Sequence, residues 1–400
     1  MSIFLELIPV SEAEEILRRI APLMEEENVP LPEAYGRVLF RPATAAEDIP
    51  GFTRTVVDGY AVRAADTVGA GEAMPAMLTI TGRVGMGDGD AGHVAPGECR
   101  YVPTGAVIPD GADAAAMIEY AEESGDEVLI YRAVAPGENI TLQGDDFRKG
   151  DRVFPAGRRL SPRDLGVLGA LGITTVPVRR QPLIGIISTG NELISPDKTP
   201  GPGEIRDVNT YLCEGYAQTR GLIPRIYGII PDERGPLEKA IRQAVSECDL
   251  VCISGGSSKG ERDMCAAILA DLGTVHAHGI ALAPGKPTII GTIDSVPVLG
   301  LPGHPASAYV VLVALCDVLV AAMTGSEVTR ITVPARCAAP VPSARGREDY
   351  IRVRLEGRDV YPLFGKSGLT NTLIESSGLL RVPDGREGYE KGSDIEVILW

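Results

Sequence analysis

Apolar positions change period several times along the chain, and each change marks a change of element. Near the start, Ile16, Leu17, Ile20 and Met24 recur at helical spacing behind Ser11 and Glu14, which reads as a helix opened by a capping box. From about Thr44 to Gly150 that period is lost. Short β-like runs (MLTITGRV, CRYVPTG, EVLIYRAV) alternate with Gly and Pro and predict a small β-rich unit. Helix and strand signals return over 160–178, where Ser161-Pro162 marks a helix start. The β unit therefore reads as an insertion into a scaffold built from both its flanks.

Over 181–325 strand and helix alternate: PLIGIIS, a helix from about Asn209, IPRIYGII, ERGPLEKAIRQAV, LVCIS, and a helix from about Gly260. This order predicts a parallel sheet with helices on both faces, and Leu237, Ile241 and Val245 give one helix the single apolar stripe it needs to cover the sheet. The run ASAYVVLVALCDVLVAAM comes close to the length of a membrane span. Asp317 interrupts it and no Lys/Arg flanks it, so a buried helix is expected. After about Arg330, the segments IRVRL, DVYPL, GLLRV and DIEVILW predict a closing β domain. The expected fold class is multidomain α/β and β. It comprises an elongated α+β scaffold or dimerisation domain (1–45 plus 150–180), an inserted β-rich domain (46–149), a three-layer α/β domain (181–326) and a small C-terminal β-barrel-like domain (327–400).

Composition narrows the function classes. With 38 Lys+Arg against 54 Asp+Glu, the net charge of −16 argues against nucleic acid or an anionic membrane as partner. An anionic substrate would have to meet local basic groups. The 7 cysteines are odd in number and scattered through apolar runs, as reduced core thiols are; Cys248 and Cys252 are not followed by a second pair at zinc spacing. The N-terminal residues form an amphipathic helix where a secretory signal would need an apolar run, which predicts a cytoplasmic protein.

Candidate chemistry collects in loops that follow strands, where open α/β sheets bind ligands. One is VCISGGSSKGERD, in which a β-like run empties into two glycines and then a helix bearing Asp263; its glycines and helix N-terminus suit a phosphate or oxyanion. The others are Ser188-Thr189-Gly190-Asn191-Glu192, Pro231-Asp232-Glu233, and Gly300 to Pro305. Glu192, Asp232 and Asp263 could thus converge as carboxylates for Mg²⁺ bridged to phosphate. GGSSKGERD lacks P-loop order and GIISTGNE lacks G-x-G-x-x-G, which excludes a Walker NTPase and a Rossmann dehydrogenase. Of the 4 histidines, His276 and His278 share a face of a predicted strand, and His304 has no Ser or Cys nucleophile beside it in sequence.

A series of segments resembles the molybdopterin molybdotransferase family, called MoeA in bacteria and archaea and the E domain in plant and animal relatives including gephyrin. They are Ile49-Pro50 through Val62 with Asp58-Gly59-Tyr60-Ala61; Val102 to Ala106 with Gly111-Ala112-Asp113; Gly144-Asp145-Asp146; Ser188 to Leu193; Ser254-Gly255-Gly256 with Gly260 and Asp263; Pro284-Gly285-Lys286-Pro287; and Gly300 to Pro305. Each is weak alone, but their order across 49–305 is specific.

The resemblance implies a molybdopterin-binding-like α/β domain and the last assembly step of molybdenum cofactor. Adenylylated molybdopterin is hydrolysed with Mg²⁺, AMP leaves, and molybdate or tungstate enters the pterin dithiolene. It implies Asp58, Thr104 and Asp146 as catalytic residues on the β side, with Glu192, Asp232, Asp263 and Lys286 on the α/β side; Glu192, Asp232 and Asp263 would hold the metal. Ser188, Thr189, Gly190, Ser254, Gly255, Gly256, Lys259, Gly260, Pro302, Gly303 and Pro305 would bind the pterin nucleotide, and Arg347, Arg352 and Ser367 the oxyanion. Implied partners are a second copy of the chain, in an elongated homodimer with composite sites, the adenylyltransferase of the preceding step, and recipient apo-molybdoenzymes.

Departures from the family pattern are as informative. Relatives carry a lysine before Pro-Gly and some another four residues earlier, where this chain has Ala283 and Gly279. Lys259 or Arg262 is expected to supply the missing charge. Asn191 stands where an acid is usual. A non-catalytic pterin-nucleotide binder or scaffold is therefore the alternative reading. The preceding adenylyltransferase would share an α/β domain but lack the Asp58 and Thr104 segments.

Overall fold

The computed structural model describes residues 7–255 and 261–400, with the side chains of 261–263 excepted. Helix Val10–Ile20 begins one residue before Ser11, with Pro9 at its N-cap, so Ser11 lies inside the first turn and the expected capping box does not form. Its buried face (Val10, Ala13, Ile16, Leu17) joins Met24 in one core with the long helix near the C-terminal end of the α/β region. Ser161 does cap a helix: Asp164 Oδ2 accepts the Ser161 N–H at 2.8 Å at the start of Pro162–Ala170.

Strand Glu26–Pro30 pairs antiparallel with Thr175–Arg179, and Ala43–Thr44 with Arg152–Phe154, so the two flanks of the β unit form one body around Val29, Leu39, Phe154 and Leu168. Between them stands a six-stranded sheet ordered Ala114–Met117, Gly59–Val62, Glu98–Val102, Ala76–Arg83, Glu127–Ile130, Ala121–Ser124. Its core is Tyr60, Val62, Leu78, Cys99, Val128 and Ile130.

The α/β sheet runs Ile223–Ile230, Leu183–Thr189, Leu250–Gly255, Val296–Leu301, Ile289–Ile293, Thr274–His278. Its first four strands are parallel. Ile289–Ile293 runs antiparallel to both its neighbours, which departs from the expected parallel sheet, and Thr274–His278 runs with the first four. The reversal is a hairpin through Asp294 and Ser295, both at positive φ (48° and 68°), where Asn-Gly would have announced the turn in sequence. The apolar run forms one buried helix over Pro305–Thr324. Its Asp317 accepts from Tyr216 OH and Arg220 Nε, each at 2.7 Å, instead of meeting lipid. Mid-helix, Leu312–Cys316 is a π-turn, and Arg330 Nη2 donates to the carbonyls of Val313 and Ala314 at 3.0 and 3.1 Å.

The C-terminal strands close on themselves. Glu348–Glu356 pairs with both Asp359–Pro362 and Gly378–Val382, and Asp394–Leu399 links Gly378–Val382 to Thr332–Cys337. Leu282–Ala283 of the α/β region adds a parallel edge, with Ala283 opposite Asp349. This short pairing holds the two domains together beside the Pro284-Gly285-Lys286 loop. All 7 cysteines are free and buried.

Candidate functional site

Four loops meet beyond the carboxyl ends of the parallel strands. Strand Leu183–Thr189 ends in Ser188, whose Oγ lies 2.8 Å from Thr210 Oγ1 and donates to Asp207 Oδ1 at 3.2 Å, and in Thr189, whose Oγ1 donates to Asp232 Oδ1 at 2.5 Å. Asp232 also accepts the Asn191 N–H at 3.3 Å, and its own N–H donates to Asn191 Oδ1 at 3.1 Å. The Asn191 amide thus ties the two loops where a second acid would repel Asp232. A Cβ on Gly190 would lie 2.9 Å from Glu192 Oε2, and one on Gly255 (φ 129°) 1.8 Å from Thr189 O, so both turns require glycine for close approach.

Asn209 joins the glycine turn to the next loop: its Nδ2 donates to Ser254 Oγ at 2.6 Å and to Gly303 O at 2.8 Å, while its buried Oδ1 has no partner among the described residues. Asp207 and Asn209 were not singled out by motif. Their signal was Asp207 before a helix, a capping pattern that also accepts the Thr210 N–H at 3.2 Å.

On the β unit, Asp58 Oδ1 accepts from Thr104 N at 2.7 Å and Thr104 Oγ1 at 3.0 Å. The two Thr104 donors, backbone first, hold the Asp58 carboxyl below its ordinary range. Asp146 is exposed on the neighbouring loop, where its N–H donates to Ile49 O at 2.9 Å. Among the described residues no hydrogen bond or ion pair joins Asp58 or Thr104 to Glu192 or Asp232. Gly256, Lys259 and Gly260 lie outside the described residues, as do the side chains of Arg262 and Asp263. The expected carboxylate triad is therefore represented by Glu192 and Asp232, and no three metal-ligating side chains stand together among the described residues.

A second group of residues lines the seam with the C-terminal domain. Lys286, exposed and without an ion-pair partner among the described residues, lines a pocket of about 350 Å³ with Ala283, Pro284, Pro302, Gly303, His304 and Ser367. An adjoining pocket of about 340 Å³ shares Ala283, Pro284 and Ser367 and adds Arg347, Asp349 and Arg352. Arg347 is neutralised by Asp349 at 3.1 Å. Arg352 is not: it is 7% exposed, Nη2 donates to Gly365 O at 3.0 Å, and Nε and Nη1, both closed to solvent, have no partner among the described residues. Burial pulls its pKa down from the ordinary guanidinium value. Pro305 opens the long helix at the pocket's edge.

Three family models match the chain in order: the MoeA N-terminal region (domains I and II) over residues 8–172, a probable molybdopterin binding domain over 185–321, and the MoeA C-terminal region (domain IV) over 334–400. A putative molybdopterin biosynthesis protein of Methanocaldococcus jannaschii is 34% identical, with 100% of both chains covered. The molybdopterin molybdenumtransferase of Bacillus subtilis is 30% identical over 98% of this chain and 94% of its own. A crystal structure of the molybdopterin biosynthesis MoeA protein from Pyrococcus horikoshii superposes with a TM-score of 0.89 at 33% identity, covering 99% of this chain and 100% of that one. In sequence, in domain order and in fold, this chain belongs to the MoeA family.

Proposed function

We propose that the protein is a molybdopterin molybdotransferase of molybdenum cofactor biosynthesis, acting on adenylylated molybdopterin and molybdate (or tungstate) and releasing AMP. The observation that carries this reading is a pocket lined by the exposed Lys286 and by Ser367, adjoining a second that shares Ser367 and adds Arg352. A tetrahedral dianion fits that donor set, and its charge would offset the burial of the arginine.

The nucleotide end is assigned to the loops of Ser188 to Gly190, Ser254-Gly255 and Pro302-Gly303. Gly255 lets this turn pack directly against the Thr189 carbonyl, which brings the two loops side by side. Water breaks the phosphoanhydride and AMP leaves; at the oxyanion held by Lys286, Ser367 and Arg352, two sulfur–metal bonds form as two metal–oxygen bonds break, the released oxygens taking up the dithiol protons and leaving as water. Asp232, fixed by Thr189 and Asn191, is assigned with Glu192 to the phosphate end. A magnesium requirement rests on family likeness. Asp58 and Thr104 are assigned, on family likeness, to the site of a second copy in a homodimer; among the described residues they bond each other and not Asp232.

Purified protein given adenylylated molybdopterin, magnesium and molybdate tests the reading through AMP. Release that requires molybdate supports it. Tight binding of the intact pterin nucleotide with no AMP formed sinks the enzyme reading and favours a non-catalytic binder, the alternative motivated by Ala283 and Gly279.

A further inference from the structure

The turn after strand Val296–Leu301 is held from two sides. From the start of helix Asn209–Thr219, Asn209 bonds Gly303 O as described. From the C-terminal domain, Ser367 reaches the same turn twice: its Oγ is 2.8 Å from His304 Nδ1, and its carbonyl accepts the Ala306 N–H at 3.2 Å. The chain then wraps the imidazole, since a Cβ on Gly368 would lie 3.5 Å from His304 Cδ2. Two residues before Ser367, the Gly365 carbonyl accepts the side-chain hydrogen bond that Arg352 makes among the described residues.

A single short loop, 365–368, therefore rests on His304 at one end and on Arg352 at the other. Its position decides whether the Ser367 hydroxyl and the Arg352 guanidinium open onto the same space as Lys286. That matters more here than with a lysine at 283, because Ala283 contributes no charge to the wall both pockets share. Among the described residues, the bonds from this loop to the α/β domain are the His304 contact and the Ala306–Ser367 backbone bond.

We propose that His304 is the positioning residue for oxyanion binding, docking the 365–368 loop on the α/β domain and thereby building the pocket between Lys286, Ser367 and Arg352. The inference rests on the oxyanion reading of that pocket given above. A positioning group of this kind acts by holding the residues that touch the ligand, so its loss weakens binding without removing a contact.

Calorimetric titration of the full chain with molybdate alone, and separately with AMP, tests the proposal. His304→Ala is expected to weaken molybdate by about tenfold, the scale of one lost hydrogen bond, and to leave AMP affinity and melting temperature unchanged. His304→Asn, which keeps a hydrogen-bonding group, restores part of the loss. The double variant with Ser367→Ala binds no more weakly than Ser367→Ala alone, because both act through one bond. Molybdate affinity within twofold of the parent in His304→Ala overturns the proposal, as do Asn behaving like Ala, additive losses, or an equal loss of AMP affinity. If the parent chain itself takes up no molybdate, the oxyanion reading falls and this inference with it; if the parent binds and His304→Ala binds equally, only the role of His304 is lost.

Discussion

At the scale of single residues, electrostatic state depends on tertiary partners that spacing does not reveal. Arg347 and Arg352 look alike in sequence, yet Asp349 neutralises the first and nothing among the described residues neutralises the second. The Asp58-to-Thr104 pairing joins segments 46 positions apart. Only the resemblance pointed to it. Ser11 shows the reverse failure, a sound local capping signal overridden by a helix that starts at Val10. Asp249 offers a residue-scale test. Burial pushes its carboxyl up, but the Arg180 fork at 2.8 Å and the Leu183 N–H at 2.7 Å outweigh burial and hold its pKa below the ordinary value. Its stabilisation is therefore present above the unfolded carboxylate pKa near about 4 and is lost as pH falls through the lower folded value. Asp249→Asn should cost about 1–2 kcal/mol at pH 7, allowing for partial exposure, and denaturant midpoints of parent and variant should converge in acid. A gap that stays constant down to pH 3 would contradict this.

At the scale of elements, the helical and β periods placed the long buried helix, the capped helix at Ser161 and the C-terminal strands. Hydrophobic pattern cannot report strand direction, so the Asp294-Ser295 hairpin escaped notice. The π-turn in the long helix was equally invisible, because it depends on Arg330 arriving from the linker that follows. Arg330→Met should lower unfolding free energy by about 1–3 kcal/mol by leaving two buried carbonyls without that donor. A loss under a few tenths of a kcal/mol would mean that water satisfies them. In strand Leu250–Gly255, Gly255→Ala combines an unfavourable φ with a clash against Thr189 O. It should destabilise by about 2 kcal/mol or more and weaken AMP binding together with stability.

At the scale of the whole molecule, the chain order of segments already carried the family, while the way domains meet did not follow from it. Ala283 pairs with Asp349 and His304 meets Ser367, so the pocket lined by Lys286 and Ser367 belongs to two domains at once. Among the described residues, neither Asp58 nor Thr104 lines that pocket or bonds to Asp232. If a second copy completes the site, equal mixing of Asp58→Ala and Asp232→Ala chains should restore roughly a quarter of parental activity, since half of the dimers carry one intact site. No recovery despite proven subunit exchange would argue against shared sites. The central claim, that Arg352 seats the oxyanion of a molybdotransferase, is tested most directly by AMP release from adenylylated molybdopterin as molybdate is titrated into parent and Arg352→Met. The account predicts saturable, molybdate-dependent release by the parent and a loss of about 100-fold or more in kcat/KM for molybdate in the variant, with pterin-nucleotide affinity retained. Equal molybdate dependence in the two proteins would contradict it.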